Sequence, residues 1–189
     1  MPDTKALIEE LVGEDYVVLA QRPGYASEAA WKNVGERAGF IETNGLRFLR
    51  PYQKAAILAL QHSVRDGKDR FLLEMATGTG KTLTAAAIIK LFLRTGNAVR
   101  VLFLVDRLEL EDQALKAFKK ALANDYKSVI YKENRDEWRR AEIVVSTVQS
   151  LLFNNKYKRL FSPTDFDLVS HLTRSGRDRA WLVGRLQAL

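Results

Sequence analysis

The segment Met75–Thr82, with the sequence MATGTGKT, restricts the possible folds of this chain more than any other feature. It follows a short apolar run, Phe71–Leu73, and precedes a helix-forming stretch that is rich in alanine and leucine. Glycines in such a turn let backbone N–H groups point inward around a phosphate chain, and the positive end of the next helix adds to the attraction. The segment therefore predicts a phosphate-binding loop between a strand and a helix.

Within this loop, Lys81 is expected to reach the β- and γ-phosphates of a nucleotide, and Thr82 is expected to hold Mg²⁺. The predicted nucleotide-binding residues of the loop are Thr77, Gly78, Thr79, Gly80, Lys81 and Thr82. Met75 stands where the general loop pattern has a further glycine, so one element of the pattern is missing. The alternative is a Gly-Thr-Gly turn that connects a strand and a helix without binding phosphate, but the Gly-x-Gly-Lys-Thr pattern in this context favours the first interpretation.

Composition and charge narrow the class of protein. A chain of 189 residues with 47% hydrophobic residues can bury one sizeable core and a small second subdomain. It contains no stretch of about 20 apolar residues and no signal-peptide core near its start, so a cytoplasmic protein is expected. With no cysteine and two histidines, magnesium carried by a nucleotide is the only metal expected. The net charge of +7 suits DNA or RNA as a partner and is equally compatible with an ordinary basic protein.

The spacing of apolar residues predicts alternating helices and strands. Helices are expected over residues 28–37, 51–64, 81–94 and 108–122, after a first helix that carries Leu7, Ile8, Leu11 and Val12. Strands are expected over residues 71–74, 99–105, 128–131, 143–145 and 166–169. An alternation of these lengths predicts an α/β fold with a doubly wound parallel sheet.

Three further segments accompany the loop. Leu49–Gln53 has the sequence LRPYQ and ends 28 residues before Lys81, Leu102–Leu110 has the sequence LFLVDRLEL, and Val144–Leu151 has the sequence VVSTVQSL. Together with the loop, they resemble the first ATPase domain of superfamily 2 helicases and translocases of the DEAD/DEAH-box type. The similarity is greatest to the motor subunit of type I restriction enzymes and related restriction helicases. It covers about residues 46–169 and implies a RecA-like P-loop domain that uses ATP and Mg²⁺.

The resemblance implies a role for the LRPYQ segment, because the family uses its glutamine to contact adenine. Gln53 is then the candidate for base recognition, with Arg50 and Tyr52 as its nucleotide-binding neighbours. The amide group suits this task, since it can donate to a ring nitrogen of adenine and accept from the exocyclic amine. An exposed glutamine on a helix surface is the alternative.

The resemblance also implies double-stranded DNA as a partner. Arg107 follows a strand at the edge where open α/β sheets bind ligands, and Ser146, Thr147 and Gln149 follow the next parallel strand. Side chains of these types can contact a DNA backbone without recognising its sequence. The alternatives are an arginine that is merely solvated at a strand end and a Ser-Thr turn that caps the helix beginning near Val148. Specificity and methylation subunits of a restriction complex are implied only by the resemblance.

The sequence departs from the family after residue 169. The family has an Asp-Glu pair there, in which the aspartate holds Mg²⁺ through water and the glutamate polarises the attacking water. This chain has Ser170–Thr173, SHLT, instead, and it lacks the second ATPase domain, so we expect ATP binding with impaired hydrolysis. The expected organisation is a helical lead-in over 1–45, an incomplete first RecA-like domain over 46–169, and an atypical tail over 170–189.

Two explanations of this tail stay open. An out-of-frame reading of the gene would account for it, because a shifted frame can encode Ser-Asp-Glu at this point. The alternative is a native C-terminal helix over residues 180–189.

Two other functions stay open as well. A P-loop kinase or GTPase could use Asp106, at the end of the strand after the loop helix, to support Mg²⁺. A non-enzymatic nucleotide-binding module would need no acid pair at all.

Overall fold

A six-stranded sheet organises the part of the chain that a computed structural model describes, namely residues 25–46, 48–122, 125–132, 137–153, 161–162, 164–172 and 179–183. Its spatial order is β1-β6-β5-β2-β4-β3. The strands are β1 (Arg70–Glu74), β2 (Val101–Val105), β3 (Ser128–Ile130), β4 (Ile143–Thr147), β5 (Leu168–Leu172) and β6 (Arg179–Val183). Strands β2 to β5 are parallel to one another. Strand β1 has the same direction, because both β1 and β5 are antiparallel to β6.

Six α-helices connect or precede these strands in the described residues. They are α1 (Ala29–Lys32), α2 (Arg37–Thr43), α3 (Pro51–Arg65), α4 (Lys81–Arg94), α5 (Leu108–Leu122) and α6 (Val148–Leu152). The predicted helices 51–64, 81–94 and 108–122 are confirmed, and for α4 and α5 both ends agree. None of the described helices combines the length and the hydrophobicity that crossing a membrane requires.

Helices α3, α4 and α5 cover one face of the sheet. The first, third and fifth residues of β2 point into this layer, where Phe103 packs edge-on against Phe118 of α5 with ring centroids 4.8 Å apart. The alanines of α4 let that helix pack closely in the same core, and Ala87, Ile88 and Ile89 are fully buried. This is the larger of two hydrophobic clusters, and it fixes the helix that follows the phosphate-binding loop.

A second, more aromatic cluster covers the opposite face. Leu102 and Val144 of the central strands meet Trp138, Phe161 and Phe166 there. Because the central strands are buried on both faces, they are apolar almost without interruption, as strands of a parallel sheet usually are. The predicted α/β fold with a doubly wound sheet is confirmed.

The helix predicted over residues 28–37 is wrong, since two short helices with a turn between them occupy this region. The side chain of Asn33 explains the interruption. Its Oδ1 accepts from the Gly35 N–H at 3.0 Å, and its Nδ2 donates to Glu36 at 2.7 Å. Asparagine favours turns because such local hydrogen bonds compete with those of the helix. The first predicted helix, with Leu7 and Val12, lies outside the described residues.

The end of the chain also differs from the prediction. The last parallel strand covers Leu168–Leu172 rather than 166–169, and Arg179–Val183 forms a strand where a helix over 180–189 was the alternative. That helix is wrong for residues 180–183, and residues 184–189 lie outside the described part. The out-of-frame origin of the tail stays a prediction.

Strand β6 lies between β5 and the strand that leads into the phosphate-binding loop. Only six residues separate Leu172 from Arg179, too few for the crossover of a dozen or more residues that a parallel connection needs, so β6 returns antiparallel. It pairs over five residues with β1 and over four with β5. Among the described strands, β1 therefore joins the sheet through β6 alone.

We expect Trp181→Pro to destabilise the protein. Residue 181 pairs with Leu72 on one side and His171 on the other, and proline lacks the N–H that an inner strand donates. Loss of a hydrogen bond inside the sheet should lower Tm by roughly 3–10 °C in a thermal unfolding measurement. The control is Ala29→Pro, at the first residue of α1, where a helix tolerates proline. Equal Tm values for both variants and the natural protein would contradict the pairing of β6.

Candidate functional site

The predicted phosphate-binding loop joins β1, which ends at Glu74, to α4, which begins at Lys81. Both of its glycines have left-handed backbone angles, with φ of 79° at Gly78 and 84° at Gly80. Gly80 is also the N-cap of α4. L-residues with side chains rarely adopt such angles, so the glycine positions of the motif match the backbone that the loop requires.

Helix α3 holds the loop from one side. The Tyr52 hydroxyl donates to the carbonyl of Thr79 at 2.7 Å, and Nε2 of Gln53 donates to the carbonyls of Thr79 at 3.1 Å and Gly80 at 3.3 Å. Oε1 of Gln53 accepts from the Arg50 N–H at 2.8 Å, and the Gln53 side chain is buried. The LRPYQ segment is thus a direct neighbour of the loop, although 26 residues separate Gln53 from Thr79.

This contact gives Gly80 a second reason to be glycine. A Cβ atom at position 80 would lie 2.7 Å from Nε2 of Gln53, which is closer than such atoms approach. At Gly78, by contrast, a Cβ atom would meet no neighbour within 4 Å. A side chain at position 80 would therefore force the Gln53 amide away from its hydrogen bonds to Thr79 and Gly80.

The ammonium group of Lys81 turns back toward the loop. Its Nζ donates to the carbonyls of Met75 at 3.1 Å and Ala76 at 3.2 Å, and the Thr79 hydroxyl also donates to Ala76 at 2.6 Å. Thr82 lies next to it in the first turn of α4. A cation directed into a loop of left-handed glycines at a helix N-terminus is an arrangement that suits a phosphate chain and its Mg²⁺.

The remaining predicted loop and base-binding residues lie around this core. Thr77 and Gly78 are exposed at the tip of the loop, and Arg50 is exposed just before α3. Gln53 differs from the expected picture, because its amide contacts the protein backbone and not the solvent. Gln53 could bind an adenine only after its amide gave up one of these hydrogen bonds to the backbone. Contact between Gln53 and adenine therefore stays a prediction.

The predicted nucleic-acid residues fall into two groups. Arg107 and Gln149 are exposed after the neighbouring strands β2 and β4. Ser146 and Thr147, by contrast, are 1% and 0% exposed. Oγ1 of Thr147 accepts from the Ser150 N–H at 3.1 Å and caps α6, as in the alternative given above. Contact of Ser146 and Thr147 with DNA stays a prediction that their burial does not favour.

A further pair of side chains lies at the carboxyl ends of β2 and β5. Nε2 of His171 is 2.7 Å from Oδ1 of Asp106, and both side chains are 29% exposed. Sequence reasoning treated the two residues separately and missed the pair. The register explains it, since His171 lies opposite Leu104 and Asp106 is two residues further along the same face.

The position of Asp106 bears on its predicted alternative role. Strand β2 is the third strand away from β1, which corresponds to about 14 Å at the usual spacing of strands. The loop strand and Asp106 are thus well separated, and the carboxylate already has a partner in His171. Both observations argue against direct support of a loop-bound Mg²⁺ by Asp106.

Comparison with known families identifies the fold. The model of the family "Type III restriction enzyme, res subunit" matches residues 47–170, about two thirds of the chain. The chain belongs to this family. The match begins before α3 and extends into β5. It therefore includes the LRPYQ segment, the phosphate-binding loop and the loops that follow β2 and β4.

Curated relatives agree with this membership. The chain is 40% identical to the endonuclease subunit of the type I restriction enzyme EcoKI of Escherichia coli over 112 residues. This aligned segment covers 55% of this chain and 9% of that protein. It is 36% identical over 124 residues to a putative mitochondrial ATP-dependent helicase of Schizosaccharomyces pombe. That aligned segment covers 64% of this chain and 20% of the helicase. The chain thus spans a small part of each relative.

A solved structure supports the fold independently. The SWI2/SNF2 ATPase core of Sulfolobus solfataricus, determined in complex with double-stranded DNA, superposes with a TM-score of 0.51 at 21% identity. The match covers 58% of this chain and 23% of the other. The residues that match the family, 47–170, therefore form a helicase-family ATPase domain related to restriction-enzyme subunits.

The difference between the two loop glycines gives a test of the loop geometry. Gly78→Ala and Gly80→Ala both place a side chain at a positive φ, which costs about 1 kcal/mol, but only the second also collides with Gln53. Thermal unfolding should show the larger loss of Tm for Gly80→Ala. If the two variants unfold at the same temperature, the close contact between Gly80 and Gln53 is wrong.

Proposed function

We propose that this chain contains the ATP-binding, N-terminal motor domain of a DNA helicase or translocase of restriction type, with impaired hydrolysis. The observation that carries the proposal is the loop between β1 and α4, in which two left-handed glycines precede Lys81 at the start of a helix. Family membership supports it, since relatives of this chain are named as a helicase and as subunits of restriction enzymes.

Lys81 and Thr82 carry the phosphate chemistry in this proposal. ATP, when bound with Mg²⁺, supplies the phosphate bond whose cleavage drives motors of this kind. Lys81 would exchange the carbonyls of Met75 and Ala76 for the β- and γ-phosphates, because anionic oxygens are the stronger acceptors for an ammonium group. The hydroxyl of Thr82 would hold Mg²⁺, and Thr77, Gly78, Thr79 and Gly80 would surround the phosphates with backbone groups.

The base would lie on the side of α3. Arg50, Tyr52 and Gln53 are the proposed nucleotide contacts there, with Gln53 recognising adenine. Tyr52 and Gln53 already contact the loop, so base and phosphate contacts would be neighbours.

Hydrolysis is expected to be weak because the end of β5 lacks the acid pair. Its described residues Ser170, His171 and Leu172 provide no carboxylate, and His171 is bonded to Asp106. A non-enzymatic nucleotide-binding module has the same loop and stays the alternative. ATP turnover in the purified chain would distinguish the two.

The proposed DNA contacts lie at the carboxyl ends of β2 and β4. Arg107 and Gln149 are exposed there. Ser146 and Thr147 are buried, so the end of β4 would have to open locally before their side chains could contact a phosphate. Double-stranded DNA is the proposed partner, and specificity and methylation subunits are proposed only for a longer protein that contains this domain.

Replacing Lys81 tests nucleotide binding. Lys81→Ala should reduce ATP affinity by roughly two orders of magnitude or more, since an ammonium-phosphate contact is lost, while Tm stays close to that of the natural protein. Calorimetric titration with ATP and Mg²⁺ measures the affinity. Lys116→Ala, which removes an exposed lysine of α5, is the control. Retained ATP affinity in Lys81→Ala would overturn the loop assignment.

Replacing Arg107 tests DNA binding. Arg107→Ala should weaken binding of a labelled duplex several-fold and reduce the salt dependence of its affinity by about one phosphate contact. Arg65→Ala is the control. Arg65 is the exposed last residue of α3, shortly before the start of β1, so the same charge is removed at the amino end of the sheet. This variant should have little effect on DNA binding. Fluorescence anisotropy at two salt concentrations measures both. Equal effects of the two variants would indicate general charge attraction rather than a site.

A further inference from the structure

A buried carboxylate lies between the two loops that carry the proposed DNA contacts. Glu111 of α5 is 1% exposed and shares the buried face of that helix with Leu110, Ala114 and Phe118. A charged side chain in such a place costs free energy unless it is paired and hydrogen-bonded. Glu111 is therefore expected to have specific polar partners that offset this cost.

The first contact of Glu111 is with the end of β4. Its Oε1 accepts from the backbone N–H of Thr147 at 2.7 Å, in a bond that is itself buried. Thr147 is also the N-cap of α6, the helix that presents Gln149 in its first turn. The carboxylate thus holds the residue that sets where α6 begins.

The second contact is with the segment after β3. Nζ of Lys132 lies 2.8 Å from Oε2 of Glu111, and the two groups form an ion pair. The Lys132 side chain is 41% exposed, so this cation reaches the carboxylate from the solvent side. Its positive charge offsets part of the cost of burying the Glu111 carboxylate.

Glu111 also lies one helical turn from Arg107. The Leu110 N–H donates to the Arg107 carbonyl at 3.0 Å, so Arg107 is bonded to the first turn of α5. One side chain therefore connects the start of α5, the segment after β3 and the start of α6. These are the loops that follow three neighbouring parallel strands, β2, β4 and β3.

We propose that Glu111 is a positioning residue of the DNA-binding edge, which fixes Arg107 and Gln149 relative to each other. This inference rests on the proposed DNA contact of those two residues. A backbone phosphate track has fixed spacing, so contacts on two separate loops add up only if the loops keep their distance. The hydrogen bond from Thr147 to Glu111 supplies that constraint.

The test compares three variants in the full chain. Glu111→Leu removes the acceptor and leaves the Thr147 N–H buried without its partner, whereas Glu111→Gln keeps an acceptor at the same place. Glu109→Leu makes the same change at an exposed position of the same helix and is the control. Hydrogen exchange of the segment 145–151 is measured without DNA, and affinities for duplex DNA and for ATP are measured in parallel.

Glu111→Leu should speed up exchange of segment 145–151 and weaken DNA binding about tenfold or more, while ATP affinity stays unchanged. Glu111→Gln and Glu109→Leu should resemble the natural protein in all three measurements. The proposal is overturned if Glu111→Leu leaves exchange and DNA affinity unchanged, or if it lowers ATP affinity as much as DNA affinity. Absence of DNA binding in the natural protein would instead overturn the proposed DNA contact, and with it this use of Glu111.

Discussion

The contact between Gln53 and the phosphate-binding loop is the interaction on which the candidate site depends. One buried amide connects the start of α3 with the carbonyls of Thr79 and Gly80, and any side chain at residue 80 would displace that amide. The same Gly80 has a left-handed backbone angle and is the N-cap of α4. Two segments far apart in sequence thus form one corner of the molecule, in which Lys81 is directed toward the loop.

The sheet imposes a second constraint on this corner. The loop strand β1 meets the remaining described strands through β6, which comes from the end of the chain. Strand β6 pairs antiparallel with both β1 and β5, and so connects the loop strand to the parallel strands. The geometry of the loop therefore depends on helix α3 on one side and on a late strand on the other.

Much of this fold could be predicted from the sequence because its signals are local. The loop, α4 and α5 have strong motifs or strong periodicity, and β2 has a continuous apolar run. Strand β6 was missed because its short sequence also fits a helix, and its pairing with the distant strand β1 leaves no local pattern. The turn at Asn33 was missed because its side-chain bonds outweigh the weak helical pattern around it.

The site was harder to predict than the fold. The motif identified the residues around Lys81, but it could not show that Gln53 faces the loop backbone or that Thr147 is a buried helix cap. Glu111 was missed although a signal existed, since it lies among the apolar positions of an amphipathic helix. A charged residue at such a position often has a specific buried partner, here the Thr147 N–H.

The central claim is that ATP binds at the loop between β1 and α4. Hydrogen exchange of the natural protein, with and without ATP and Mg²⁺, tests it most directly because it reports where the nucleotide binds. The account predicts slower exchange in residues 75–84 and in the start of α3 around Gln53. Protection confined to the end of β2 around Asp106, or no protection at saturating ATP, would contradict it.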